Sequence, residues 1–305
     1  MSNQQPLNQI PINSMIIMLS IVFCCSILST FVSVGTIQLW GDASLAKEAM
    51  TDLKHLRLIQ IIQSIGTFIV PSIIGVRIFF RNSYRDCFGR EIPGSQIFFI
   101  SMMLMVVSAP LINWASFVNQ NISFPPSFEY IKQWATEKEE IANDLTRKFL
   151  IFNTTSDLLI NIGIMAILPA IAEEWLFRGM IQPLTMRITK RAGSAIIITA
   201  ILFSAMHFQF LTFLPRVILG TILGYLYYYG KSLWLPIAAH FVNNLVALLS
   251  YAYYVQQDNK SLSDPLAAVT EAPSLVWSLS SLFFIVVGIY TIKRLKTPSN
   301  HSSLE

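Results

Sequence analysis

The sequence predicts an all-α polytopic membrane protein: a bundle of about eight transmembrane helices with both termini cytoplasmic. Three observations carry this. Hydrophobic residues make up 53% of the 305 and charged residues 12%, where a soluble domain carries roughly 25% charge. The mean hydropathy is +0.55. Apolar runs near the ~20 residues that a span requires recur along the whole chain. Thirteen glycines, 14 prolines and three cysteines exclude collagen-like, disordered and disulfide-scaffold classes. A net charge of +4 is too small to make nucleic acid the main partner.

The elements follow in order. Residues 1–14 hold no Lys or Arg, so they lack the basic segment of a cleaved signal peptide. The apolar run from Met15 to Thr36 is read as the first span. Further runs lie at about 58–80, 97–118, 152–182, 194–214, 215–230, 232–254 and 274–292. The polar stretch 119–151 places Phe128, Ile131, Trp134, Ile141, Leu145 and Phe149 at helical spacing. That pattern suits an amphipathic helix on the outer interface. Thr154 with Asp157 makes a capping box for the fourth span. Gly220 and Gly224 form a GxxxG pair suited to close helix contact. Tyr225, Tyr227, Tyr228, Tyr229 and Trp234 read as an interfacial aromatic belt. Cys24, Cys25 and Cys87 have no ligand spacing. The chain divides into residues 1–150 (N-terminal spans plus the outer amphipathic segment), 151–255 (a core carrying the chemistry) and 256–305 (the last span and a basic tail). No internal repeat is detectable.

Charge placement sets the orientation. With the N-terminus inside, the cytoplasmic segments carry eleven basic and three acidic residues, and the opposite side nine and eleven. The basic residues cluster at cytoplasmic helix ends, as the positive-inside rule requires. Asp157 is taken up as a cap. Three charges then remain inside an apolar run: Glu173, Glu174 and Arg178. Each costs at least ~2.5–3.5 kcal/mol at the bilayer centre, so such residues mark function by default.

Their spacing suggests a division of labour. Glu174 and Arg178 are i and i+4 with glutamate first, the favourable order for an ion pair. Glu173 lies about 100° round the helix and faces a different neighbour. Pro169, four residues before Glu173, removes a helical hydrogen bond and can open the helix locally. An ion pair that merely locks the bundle needs one glutamate, and the second argues for chemistry. Two of the four histidines, His207 and His240, fall in apolar runs, and Asn244 shares a helix face with His240. Asn243 points elsewhere, toward packing. Glu173 is suited to take a proton from water held by His207. His240 and Asn244 can donate to the oxyanion formed when that water attacks a carbonyl. No Ser or Cys has the basic neighbours of a nucleophile. The cofactor stays open: His207, His240 and Glu173 are suitable zinc ligands, but they come from three helices without an HExxH, and the water chemistry does not require the metal.

At these residues the chain resembles the CPBP (CAAX protease and bacteriocin-processing) intramembrane proteases, also called Abi or type II CAAX prenyl endopeptidases. That family is marked by EExxxR, FxxxH and HxxxN/D on successive transmembrane helices. Here the motifs read Glu173-Glu174-Trp-Leu-Phe-Arg178, Phe203-Ser-Ala-Met-His207 and His240-Phe-Val-Asn-Asn244. Each is short, but all three occur in order in a polytopic chain, and the resemblance covers roughly residues 150–255. It implies a cavity opening toward the cytoplasm, Glu173 as general base, His207 helping to activate water, and His240 with Asn244 as the oxyanion site. Glu174 and Arg178 would hold the motif helix. The family is often described as metalloproteases, though its glutamate can be read as working without metal. The expected substrate is a membrane-associated peptide or protein, prenylated CAAX-type or bacteriocin-like, in a bacterial plasma membrane. Two other readings stand beside it. A non-catalytic immunity or scaffolding protein would use the polar cluster structurally. A proton-coupled transporter would use Glu173 and His207 as a relay, but the repeated halves with paired broken helices are missing.

Overall fold

In the computed structural model, residues 13–40, 52–80, 92–122, 125–150, 154–257 and 273–296 are described. Their helices are α1 (Asn13–Trp40), α2 (Leu53–Phe79), α3 (Ser95–Gln120), α4 (Glu129–Leu150), α5 (Thr155–Thr189), α6 (Ala192–Ala205), α7 (Phe213–Gly230), α8 (Trp234–Gln257) and α9 (Leu275–Lys296). Six are long and apolar enough to cross a membrane, and two shorter apolar helices, α6 and α8 to Ser250, bring the number to the expected eight. Cys87 lies outside the described residues.

Proline shapes the long helices. α2 contains a π-helical segment at Ile65–Ile69, and α5 contains two, at Gly163–Ile167 and Phe177–Ile181. Each ends just ahead of a proline: Pro71, Pro169 or Pro183. A proline lacks the N–H for the α-helical bond, and its ring clashes with the carbonyl four residues back. Those carbonyls belong to Thr67, Met165 and Gly179, all inside the π segments. One extra residue per turn accommodates the ring without breaking the span. Pro169 thus widens the helix ahead of Glu173 instead of opening it.

α6 departs most from expectation. The predicted fifth span, 194–214, ends as a helix at Ala205. Its 14 residues reach about 21 Å, short of the ~30 Å hydrocarbon core. His207 therefore sits in the turn after α6, not within a span, and a single 3-10 turn at Phe210–Thr212 leads into α7. Such backbone is tolerated at membrane depth only where its polar groups are satisfied. Asn119 at the end of α3 supplies two bonds: its Nδ2 donates to the Phe210 carbonyl at 2.8 Å, and its Oδ1 accepts from the Leu214 N–H at 2.7 Å. Ser204 Oγ donates to the Phe213 carbonyl at 2.8 Å.

The GxxxG pair places α7 against its neighbours with a matching register. Arg178 Nη2 donates to the Gly220 carbonyl at 2.8 Å, and Gln182 Nε2 to the Gly224 carbonyl at 3.0 Å. Both donors and both acceptors are four residues apart, so one helix face reads the other. A Cβ at Gly224 would lie 2.8 Å from Ile196 Cγ2, and Ile196 is fully buried. Gly224→Ala is expected to cost about 1–3 kcal/mol through overpacking. Thermal unfolding in detergent measures this, and a melting temperature equal to wild type would refute it.

One core runs through the bundle, from Met18 on α1 through Val76, Leu104, Phe177, Phe203, Leu223 and Leu235 to Ile285 on α9. Large apolar side chains such as Phe31, Trp277 and Phe283 point outward, as a lipid-facing surface requires. The expected pairing of Thr154 with Asp157 caps the start of α5: Thr154 Oγ1 accepts from the Asp157 N–H at 3.1 Å and donates to Asp157 Oδ2 at 2.7 Å. Arg57 of α2 pairs with the same Asp157 at 2.9 Å. The amphipathic helix α4 is present, but the predicted stripe is split: Phe149 is buried and Trp134 packs on Phe210 at 5.3 Å, while its other members turn outward. Ala135, Glu139, Phe149 and Leu150 are buried, whereas Ile131, Ile141 and Leu145 lie on the adjoining exposed face. A helix that buries one side against protein and leaves large apolar residues on the adjoining face suits the membrane interface.

Candidate active site

Glu173, Glu174 and Arg178 come from α5, His207 from the turn after α6, and His240 and Asn244 from α8. All six predicted residues converge. Four of them, Glu173, His207, His240 and Asn244, line one cavity of about 530 Å³. Glu174 and Arg178 lie fully buried behind it.

The local bonds explain the motif spacings. Arg178 Nη1 donates to Glu174 Oε1 at 2.6 Å, the predicted i,i+4 pair. The same carboxylate oxygen stands 2.9 Å from His240 Nδ1, joining α5 to α8. A carboxylate accepts, so His240 Nδ1 carries the proton. Its Nε2 then faces Glu173 Oε2 at 3.9 Å. His207 obeys the same rule: its Nδ1 lies 2.8 Å from the Phe203 carbonyl, which can only accept. The FxxxH spacing thus fixes the tautomer, and His207 Nε2 also stands 3.9 Å from Glu173 Oε2. The phenylalanine has a second function. Its buried ring lies edge-on to His207 at 5.0 Å and to His240 at 5.9 Å, with the Arg178 guanidinium 5.1 Å away. The ring thus lines the cavity and lies beside the buried cation.

The 3.9 Å separations exceed a direct hydrogen bond. They suit one water bridging Glu173 and an imidazole nitrogen. Tetrahedral zinc ligands at ~2.0–2.1 Å would stand only ~3.3 Å apart. Among the described residues no three His, Cys, Asp or Glu side chains are close enough to share an ion. As they stand, His207, His240 and Glu173 do not fit a zinc site.

Several participants are not directly legible in the sequence. Asn243, expected to pack elsewhere, lines the cavity beside Asn244, and its Nδ2 donates to Asn244 Oδ1 at 3.3 Å. That bond leaves the Asn244 amide hydrogens free for the cavity. Arg216, counted as an outer-side charge, also lines the cavity, and Glu139, counted with it, is buried against the 206–212 segment. Buried or cavity-lining charges among the described residues therefore extend beyond the three predicted. Arg216 could have been found, because it lies one residue after Pro215 in the apolar run of α7. Glu139 shares a helical stripe with Ala135, Ala142 and Thr146, a small-residue face that signals close packing.

Comparison with known proteins converges on the same segment. Residues 155–246 match the family model described as "Type II CAAX prenyl endopeptidase Rce1-like". The match covers less than a third of the chain and contains all three motifs. No curated protein and no solved structure matches with significance. Carried on a polytopic membrane chain, residues 155–246 are thus a domain of the CPBP type.

Proposed function

We propose that the protein is an intramembrane endopeptidase that hydrolyses a peptide bond in a membrane-associated substrate with water activated by Glu173. The observation that carries this is the convergence of a carboxylate, two tautomer-fixed imidazoles and a side-chain amide on one cavity inside a membrane bundle. In the reaction, a water hydrogen-bonded to Glu173 and His207 Nε2 attacks the carbonyl carbon while Glu173 takes its proton. The oxyanion accepts a hydrogen bond from Asn244 Nδ2 and one from His240 Nε2 in the imidazolium form of that ring. Glu173 then passes the proton to the departing amine as the C–N bond breaks. Residues 151–255 form the catalytic core, with the flanking spans 1–150 and 256–305 as its membrane frame. The apolar cavity wall, including Ile112, Leu219 and Leu248, suits a hydrophobic or lipidated peptide, and prenylated CAAX-type and bacteriocin-like chains are the substrate classes to try first. Purified protein in detergent, incubated with a membrane-associated peptide, should yield two fragments by mass spectrometry.

Orientation is part of this reading. The cavity shares Thr146 and Leu150 of α4 and Thr212 of the α6–α7 connection, so it lies toward the end of the bundle that α4 covers. The opposite end carries Arg77, Arg187, Lys190, Arg191, Lys231, Lys293, Arg294 and Lys296 close to helix ends. At the α4 end, Arg57 and Arg216 are drawn into internal hydrogen bonds, which sharpens the bias. In this reading both termini lie in the cytoplasm, the membrane is a bacterial plasma membrane, and the cavity lies toward the outer leaflet. A cytoplasm-facing cavity, as the family resemblance implies, requires the reverse orientation. Fusing a fluorescent reporter that matures only in the cytoplasm to the C-terminus should give signal, and a periplasm-dependent phosphatase there should be inactive. Activity of the phosphatase fusion would reverse the orientation.

A further inference from the structure

Among the described residues that line the cavity, Arg216 is the one whose bonds leave an anion-binding fork unused. Its Nη1 donates to the Gln209 carbonyl at 3.3 Å and to Thr212 Oγ1, and its Nη2 donates to Gln209 Oε1. All three acceptors are neutral. A guanidinium has five N–H donors, so the Nε–H and one Nη2–H have no partner among the described residues. Two such donors on one planar group match the two oxygens of a carboxylate.

The surroundings hold that fork in place. Gln209 Nε2 and the Thr212 hydroxyl donate to Glu139 Oε1 at 3.3 and 3.1 Å. Gln209 and Thr212 thus stand between the guanidinium and Glu139, keeping the two charges apart while fixing both. A direct Arg216–Glu139 ion pair would have consumed the fork. Instead the carboxylate of Glu139 orients the groups that orient Arg216, and the cation faces the cavity that also holds Glu173 and His207.

We propose that Arg216 forms a carboxylate subsite of the reaction cavity, so that the protein selects apolar peptides bearing a carboxylate near the cleaved bond. This rests on the hydrolytic reading above and specifies its substrate. The carboxylate comes either from an acidic side chain or from the peptide's own C-terminus, since both present the same two oxygens. A phosphate is the poorer occupant, because it brings a second negative charge next to Glu139 and Glu173.

The test uses full-length protein and an apolar ten-residue peptide carrying one Glu, its Gln counterpart, and the C-terminal acid and amide of each. Binding is read by fluorescence anisotropy on Glu173→Gln and on Glu173→Gln/Arg216→Gln, and cleavage on the forms with Glu173 intact. The acidic member of one pair is expected to bind and react about tenfold or more better than its neutral counterpart, the size of a charge-assisted hydrogen-bond pair. Arg216→Gln should bring that ratio near one, and Arg216→Lys, which keeps the charge without the fork, should leave an intermediate ratio. A preference in the Glu/Gln pair identifies the side chain, and one in the acid/amide pair the C-terminus. Equal binding of all four peptides, or a ratio unchanged by Arg216→Gln, overturns the subsite. If no peptide is cleaved, the hydrolytic reading fails, while the anisotropy ratios still decide the role of Arg216.

Discussion

Replacing Glu173 with Gln should lower the cleavage rate by about a thousandfold, with the thermal unfolding temperature close to that of wild type. The size follows from the role. General-base catalysis by a positioned side chain contributes roughly 10²–10⁴-fold, and an amide of equal volume cannot take the proton. The unchanged stability follows from the bonding. Among the described residues Glu173 has no hydrogen bond within 3.5 Å; His207 and His240 stand at 3.9 Å. It borders a cavity and is not locked in the core, so the amide meets no new clash and orphans no donor. The immunity or scaffold reading makes the opposite forecast: function retained in Glu173→Gln. Cleavage measured alongside a thermal melt separates the two, and full activity in this variant would remove Glu173 from its assigned role. The relay reading would instead show proton-coupled uptake in liposomes that Glu173→Gln abolishes.

A feature is legible in the sequence where it is local and costly. Buried charge in an apolar run is expensive, so Glu173, Glu174 and Arg178 stand out without any structure. The i,i+4 geometry of a helix then gives the Glu174–Arg178 bond directly, and the capping box at Thr154 is equally short in range. What stayed hidden depends on where the chain turns. The end of α6 at Ala205 is set by tertiary bonds from Asn119 on α3, 91 residues before its acceptor Phe210. No periodicity within the run 194–214 reports that. Without the early turn, His207 is counted as a membrane residue and Arg216 as a loop residue, although both line the same cavity. The sharing of one Glu174 oxygen between Arg178 and His240, 66 residues beyond Glu174, was invisible for the same reason.

That shared oxygen underlies the second large effect. Glu174→Ala and Arg178→Ala should each destabilise the protein by about 3–5 kcal/mol, because each leaves its partner buried and unpaired. Both side chains are fully inaccessible, so water cannot take over the lost bonds. Arg178 also holds the Gly220 carbonyl, which extends its loss to the α5–α7 contact. The pair's net value is a different quantity. Glu174 Oε2 and Arg178 Nε are buried without a hydrogen bond, and a network satisfied only in part can be no better than an apolar one. The double variant Glu174→Leu/Arg178→Met is therefore expected to lose less stability than either single alanine variant, a non-additivity that thermal unfolding of the four proteins measures. Activity should not follow stability back. With Glu174 gone, His240 Nδ1 loses the carboxylate that fixes its proton and aims its Nε2 at Glu173, so the refolded double variant should remain inactive. Strictly additive melting temperatures would show that the two side chains do not act as a buried pair. Recovered cleavage in the double variant would show that His240 is oriented without Glu174, leaving the second glutamate of the motif a structural residue only.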